Sequence, residues 1–284
     1  MNRSTWIEQL GFGVLRLCTL LVVFLIFWLI IDLFIKGGDS LSWIFWSTFP
    51  QKGMTAGGIF PTVVGTAFVT LITALFAVPV GVASAIYLSE YARDHFLSRL
   101  IRASIRNLAG VPSIIYGLFG VALFVEGLRF GTSVLSAGLT LGLLSLPYII
   151  TATEEALKTV PKSYREGALA LGATQWETIR SVVLPPALPG ITTGIMLGLS
   201  RAAGETAPIL FTGVAYYLRY LPGTVWDSFM ALPYHLYVLA TQHHAIEEVR
   251  PLAYGTALTL LAMVTVLNII ALQIRYRFQS QPTG

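Results

Sequence analysis

Six long apolar runs, separated by short stretches that hold most of the charge, set the reading of this 284-residue chain. They lie roughly at 16–35, 60–89, 108–126, 133–153, 184–212 and 252–274, and each approaches or exceeds the ~20 residues a helix needs to cross a hydrocarbon core. The pattern predicts an all-α integral membrane protein with six transmembrane helices. Pro79, Pro112, Pro147 and Pro208 fall at or near the middles of four runs. A missing N–H there kinks a helix, and a bundle tolerates the freed carbonyl only against other protein or a water-filled path. Between the second and third runs, Arg99, Arg102 and Arg106 share one helical face while Leu97, Ile101, Ile105 and Leu108 share another, which predicts an interfacial helix with snorkelling basic side chains. On the opposite side, Asp39-Ser40 precedes Leu41 to Trp46 and reads as the cap of a short helix with Trp at headgroup level. The segment 214–250 carries Tyr216, Tyr217, Tyr220, Trp226, Tyr234 and Tyr237, an aromatic belt or a docking surface for an external protein.

Composition agrees with the pattern: 55% of residues are hydrophobic and 11% charged, against about 25% charged in soluble domains. The first run is longer than the roughly 7–15 residues of a signal-peptide core and has no small-residue cleavage site, so it reads as a retained span. The single cysteine, Cys18, allows no internal disulfide. Charge asymmetry sets orientation. Arg3, Arg16, Arg93, Arg99, Arg102, Arg106, Lys158, Lys162, Arg165, Arg180, Arg275 and Arg277 fall on one side, and only Lys36, Lys52, Arg129, Arg219 and Arg250 on the other. The richer side is the cytoplasmic one, with both termini on it. The net charge of +4 therefore reflects membrane orientation and lipid contact, not nucleic-acid binding. His243 and His244 are adjacent, do not share a helix face and have no thiolate nearby, so no metal site is expected.

The loop between the fourth and fifth runs, about 154–190, carries dense helix signals. Pro161 suits a first helical turn, and Ser163 with Glu166 has capping-box spacing. Gly172 can adopt the left-handed conformation that ends a helix. Thr174 with Glu177 repeats the capping spacing and opens a second helix presenting Trp176 and Ile179, which Pro185-Pro186 closes. The product is a rigid elbow. Gly167 to Thr174 nearly matches a phosphate-binding loop but lacks its Lys, so this chain is expected to bind no ATP itself.

Inside the fifth run, Arg201 and Glu205 are four residues apart and predicted to share a helix face. Each costs roughly 2.5–3.5 kcal/mol at a span centre, so both should face the bundle interior with partners. Two readings stand: a structural ion pair, or a cation that helps an anion cross, with Glu205 keeping its binding weak enough for release.

The loop motif reads Glu166-Gly167-Ala168, three residues, Gly172, nine residues, Val182, one residue, Leu184-Pro185. It resembles the cytoplasmic coupling loop of type I ABC importer permeases, with Gly167 in place of Ala and Val182 in place of Ile. Gly110 to Gly117, Ala85 to Tyr91 and above all Arg201-Ala202-Ala203-Gly204-Glu205-Thr206-Ala207-Pro208 are similar to the phosphate transport system permease family, from about Gly58 to the C-terminus. The resemblance implies a tail, first span and outer loop over 1–57 and a permease domain over 58–284. It gives coupling to the ATPase to Pro161, Glu166, Gly167, Ala168, Gly172, Leu184 and Pro185, and translocation to Arg201, Glu205 and Thr206. It also implies an inner-membrane location, a second homologous permease, an ATPase dimer that binds ATP and Mg, and an external phosphate-binding protein. The chain would be non-catalytic. Relatives for molybdate or sulfate usually carry Gly-Glu-Phe where this chain has Gly-Glu-Thr, so inorganic phosphate is favoured, with molybdate, sulfate or phosphonate as the alternative oxyanions. A secondary transporter using Glu205 as a proton relay would leave the elbow unexplained.

Overall fold

The computed structural model describes residues 3–92 and 95–279; Arg93 lies outside the described residues, as does the side chain of Arg3. The first span is α1 (Arg3–Gly37), which packs against the last helix and otherwise exposes an apolar surface suited to lipid. After it come a short α2 (Trp43–Ser47) and a two-stranded antiparallel hairpin, β1 (Pro50–Gln51) and β2 (Ala56–Gly57). The cap of α2 is Ser42, whose hydroxyl accepts from the Phe45 N–H. The expected cap at Asp39-Ser40 does not form, because both residues are wound into a 3-10 turn, Gly38–Ser40.

The bundle is built from α3 (Phe60–Ile86), α4 (Phe96–Leu108), α5 (Ser113–Gly120), α6 (Val134–Lys158), the elbow helices α7 (Lys162–Ala170) and α8 (Gln175–Thr178), α9 (Leu184–Gly204), α10 (Ala207–Thr212), α11 (Leu232–Thr241) and α12 (Ile246–Gln279). Five helices among the described residues are long and apolar enough to cross a membrane; the sixth exists only if Phe96–Leu108 and Ser113–Gly127, bent by 106°, count as one broken span. The run read at 108–126 is therefore not a straight span. Pro112 sits at the start of α5 rather than mid-helix, since the residue before a proline disfavours helical geometry. Pro79 and Pro147 do lie inside their helices.

The central helix is α6. Its Val134, Ala137 and Leu141 are buried with Val69 of α3, Ala202 of α9, Ile209 of α10 and the strap residues Phe229 and Ala231. Helix α9 approaches α6 closely along Gly190, Gly194 and Gly198: a Cβ at these positions would lie 2.6, 2.4 and 2.8 Å from Ala156, Ala152 and Ile149 side-chain atoms. Small residues permit such backbone approach where the surrounding lipid is as apolar as the packing faces. The face of α3 towards α6 carries buried Thr62, Thr66, Thr70 and Thr73, whose hydroxyls donate to carbonyls three or four residues earlier. Thr73 also donates to the Gly138 carbonyl at 3.1 Å, and Thr66 accepts from the Leu232 N–H at 2.8 Å.

The segment read as an aromatic belt or a docking surface is in larger part folded into a cap on one end of the bundle. Helix α11 buries Leu232, His235, Val238 and Leu239, and His243 Nε2 meets the Gly53 carbonyl at 2.7 Å while Tyr217 donates to Pro50 at 3.0 Å. Tyr216, Tyr220, Trp226 and Tyr237 stay exposed.

Candidate functional site

The fifth span breaks at its charged pair. Helix α9 ends at Gly204, Glu205 is extended at φ −76°, ψ 132°, and α10 restarts at Ala207 with Pro208 in its first turn. Pro208 has no N–H for the Gly204 carbonyl, and its ring would clash with that carbonyl in a continuous helix. The expectation that Arg201 and Glu205 share one helix face is therefore corrected: Arg201 is in the last turn of α9 and Glu205 is beyond its end. They still meet, with Arg201 Nε 3.3 Å from Glu205 Oε1, their side chains 46% and 17% exposed. The Arg201 guanidinium lies 4.9 Å from the centre of the Tyr148 ring on α6, a favourable cation–π arrangement. Tyr148 in turn donates to the Ala109 carbonyl at 3.1 Å, at the bend between α4 and α5, and Tyr116 donates to Leu108 there at 2.9 Å. Thr206 adjoins the pair and is half-buried. Tight packing holds the break: a Cβ on Gly117 of α5 would lie 3.1 Å from the Ala207 carbonyl and 3.1 Å from Pro208 Cα.

The elbow forms as a helix, a left-handed turn and a second helix. Pro161 is the residue before α7, at φ −58°, ψ 142°, and feeds the chain straight into it, so Ser163 lies within the first turn and the capping box expected with Glu166 is absent. Gly172, at φ +87°, ends α7 as expected: its N–H bonds to the Leu169 carbonyl and the Ala173 N–H to Ala168, a paired closure that needs a left-handed residue. The Thr174–Glu177 capping box is formed in both directions. Pro185-Pro186 does not close the second helix. A π-helical turn, Ile179–Val183, carries α8 into α9, and the prolines are accommodated at the start of α9. Trp176 is exposed with Tyr164, Leu169 and Leu171, whereas Ile179 is buried, so it is not presented as expected. Glu166 and Gly167 are exposed, Ala168 and Leu184 half-buried and Pro185 exposed.

The elbow thus exposes the apolar side chains of Tyr164, Leu169, Leu171 and Trp176, on a bundle whose fifth span is broken at Glu205. The family described as binding-protein-dependent transport system inner membrane component matches residues 77–281. The chain belongs to this family. It is 31% identical over 283 residues to the Probable ABC transporter permease protein YqgI of Bacillus subtilis (strain 168), covering 95% of each chain. It is 36% identical over 254 residues to the Phosphate transport system permease protein PstA 1 of Mycobacterium tuberculosis (strain CDC 1551 / Oshkosh), covering 88% of this chain and 82% of that one. A crystal structure of a bacterial ABC transporter involved in the import of the acidic polysaccharide alginate shares the fold, with a TM-score of 0.68 at 14% identity over 96% of this chain and 98% of that one. The type I ABC importer permease fold expected from sequence is therefore the fold observed, in a multi-pass membrane component of a transport system.

Sequence reasoning missed how this family member ties its elbow to the spans. Arg165 was read only as an orienting charge, yet it grips Glu90 at the end of the second span at 2.7 Å. Hydrogen bonding to Glu90 raises the Arg165 pKa above its ordinary value against the opposing effect of burial. Arg102 of α4, expected to snorkel, instead reaches the mostly buried Glu154 of α6 at 3.1 Å. Both pairs link residues far apart in sequence, and spacing along one chain carries no signal for such contacts.

Proposed function

We propose that this chain is a pore-forming permease subunit of an ATP-driven importer of inorganic phosphate. The observation that carries the reading is the break at Glu205-Thr206, which leaves the Arg201 guanidinium half-exposed beside a gap in helical structure. A purely structural ion pair would be shielded, whereas a cation for a passing anion must be reachable. In low-dielectric surroundings a single guanidinium attracts an anion far more strongly than in water, and the neighbouring Glu205 and Tyr148 hold it in place while limiting how tightly the anion is kept. Thr206, next to the pair, would contribute a hydroxyl. The named phosphate relatives support this substrate over other oxyanions.

In this reading the exposed knob of Tyr164, Leu169, Leu171 and Trp176, together with Pro161, Glu166, Gly167, Ala168, Gly172, Leu184 and Pro185, is the seat for a separate ATPase dimer. That dimer binds ATP and Mg, and its closure moves the elbow and reopens the spans on the other side. A second, related permease completes the pore, an external phosphate-binding protein delivers substrate, and both termini are cytoplasmic. Residues 58–284 are the permease domain, with 1–57 an added span and outer loop. The test is uptake of radiolabelled phosphate, sulfate and molybdate by cells deleted for this gene and restored with the wild-type chain. Selective recovery of phosphate uptake is expected; recovery of another oxyanion alone would overturn the substrate.

A further inference from the structure

The π-helical turn Tyr87–Tyr91 that ends the second span is held from three directions. From α7, Arg165 forks onto the Glu90 carboxylate, Nε to Oε2 at 3.0 Å and Nη2 to Oε1 at 2.7 Å. The same guanidinium donates to the Val160 and Leu157 carbonyls, at 2.8 and 3.0 Å, where α6 ends. From α8, Gln175 Nε2 donates to the Glu90 carbonyl at 2.7 Å. From α4, Arg102 donates to the Leu88 carbonyl and, through Nε, to Glu154 of α6. The Glu90 and Arg165 side chains are 8% and 21% exposed, unlike the nearby Lys158–Glu155 pair, which is open to solvent on both sides.

These contacts decide what happens at the bend between α6 and α7. The covalent link at Val160-Pro161 alone would act as a hinge, and a push on the elbow could be lost in rotation about it. A planar two-bond fork resists sliding and rotation together, and a mostly buried pair is costly to separate because each charge is then left uncompensated. We propose that Glu90 and Arg165, backed by Gln175, form the joint that carries movement of the elbow into the inner end of the second span. The proposal deepens the reading of the elbow as the ATPase seat and rests on it. Glu90 and Arg165 are positioning residues: they touch neither nucleotide nor anion.

The experiment uses the whole complex in membranes, with Glu90→Gln, Gln175→Ala and, as a seat control, Leu171→Asp. Three quantities are read: ATPase subunit recovered with the permease, ATP hydrolysis, and uptake of radiolabelled phosphate. For Glu90→Gln we expect full recovery of the ATPase subunit and continued hydrolysis with uptake reduced about 5-fold or more, the usual range of coupling between sites. Gln175→Ala, which removes an exposed amide and leaves the ion pair intact, should give a smaller loss of the same kind. Wild-type uptake by Glu90→Gln would overturn the joint. So would a Glu90→Gln chain that fails to assemble while Gln175→Ala transports normally, since the pair would then serve folding alone. Failure of the seat reading is separate: Leu171→Asp would keep its ATPase. Failure of the substrate reading would appear as a wild-type complex that hydrolyses ATP without accumulating phosphate.

Discussion

Among single residues, what matters is which charges the fold leaves reachable. Arg201 is partnered by Glu205 and Tyr148 yet half-exposed, so Arg201→Gln should assemble normally and lower uptake on the order of 100-fold, the loss seen when a preorganised charge-stabilising donor is removed. Uptake assays beside a measure of complex assembly check this, and equal uptake would reduce the pair to a structural one. His235 is the opposite case. Burial, followed by repulsion from His243, lowers its pKa from 6.5 to about 4, and its Nδ1 has no hydrogen-bond partner. The unfolded chain takes up a proton below pH 6.5 while the folded chain resists until about pH 4. Stability present above pH 6.5 is thus lost across that window as pH falls, by up to ~3 kcal/mol. Thermal unfolding of purified protein from pH 7 to pH 4 should show the decline, and His235→Gln should flatten it.

At the scale of elements, the elbow and the close pair α6–α9 behave differently under substitution. Leu171 is 91% exposed, so Leu171→Asp should cost no stability yet weaken ATPase recovery about 30-fold or more, as loss of an interface anchor does. Gly194→Leu should fold poorly or melt earlier, because its Cβ would already sit 2.4 Å from Ala152 and overpacking costs about 1–3 kcal/mol; a thermal melt in detergent reads this. The elbow was legible in sequence because its signals are local: Gly172 as a left-handed stop and Thr174–Glu177 as a reciprocal cap both formed. The break after Gly204 was also local, since Pro208 forbids the helical bond to that carbonyl, but an apolar run hides a break that one proline imposes. Helix α11 escaped notice because its aromatic content suggested a headgroup belt while burial against α12 and against Met54, in the turn between β1 and β2, decided its fold. The Glu90–Arg165 joint, 75 residues apart, had no sequence signal at all.

At the scale of the whole molecule, a first span with an exposed apolar surface, a bundle packed around α6, a folded cap at one end and an elbow at the other make up a permease with one span broken at its charged pair. The exposed apolar surface of α1 suits lipid, and in the proposed function a second permease faces the broken span to close a path around Arg201. In the proposed function these parts act together: ATP turnover by an ATPase seated on the elbow moves phosphate past Arg201. Its most direct test is reconstitution of the complete complex in proteoliposomes with external phosphate-binding protein, measuring radiolabelled phosphate accumulation alongside ATP hydrolysis for wild type and Arg201→Gln. Wild type should accumulate phosphate in an ATP-dependent way, and Arg201→Gln should hydrolyse ATP without accumulating it. Equal accumulation by both, or accumulation by wild type in the absence of ATP, would contradict it.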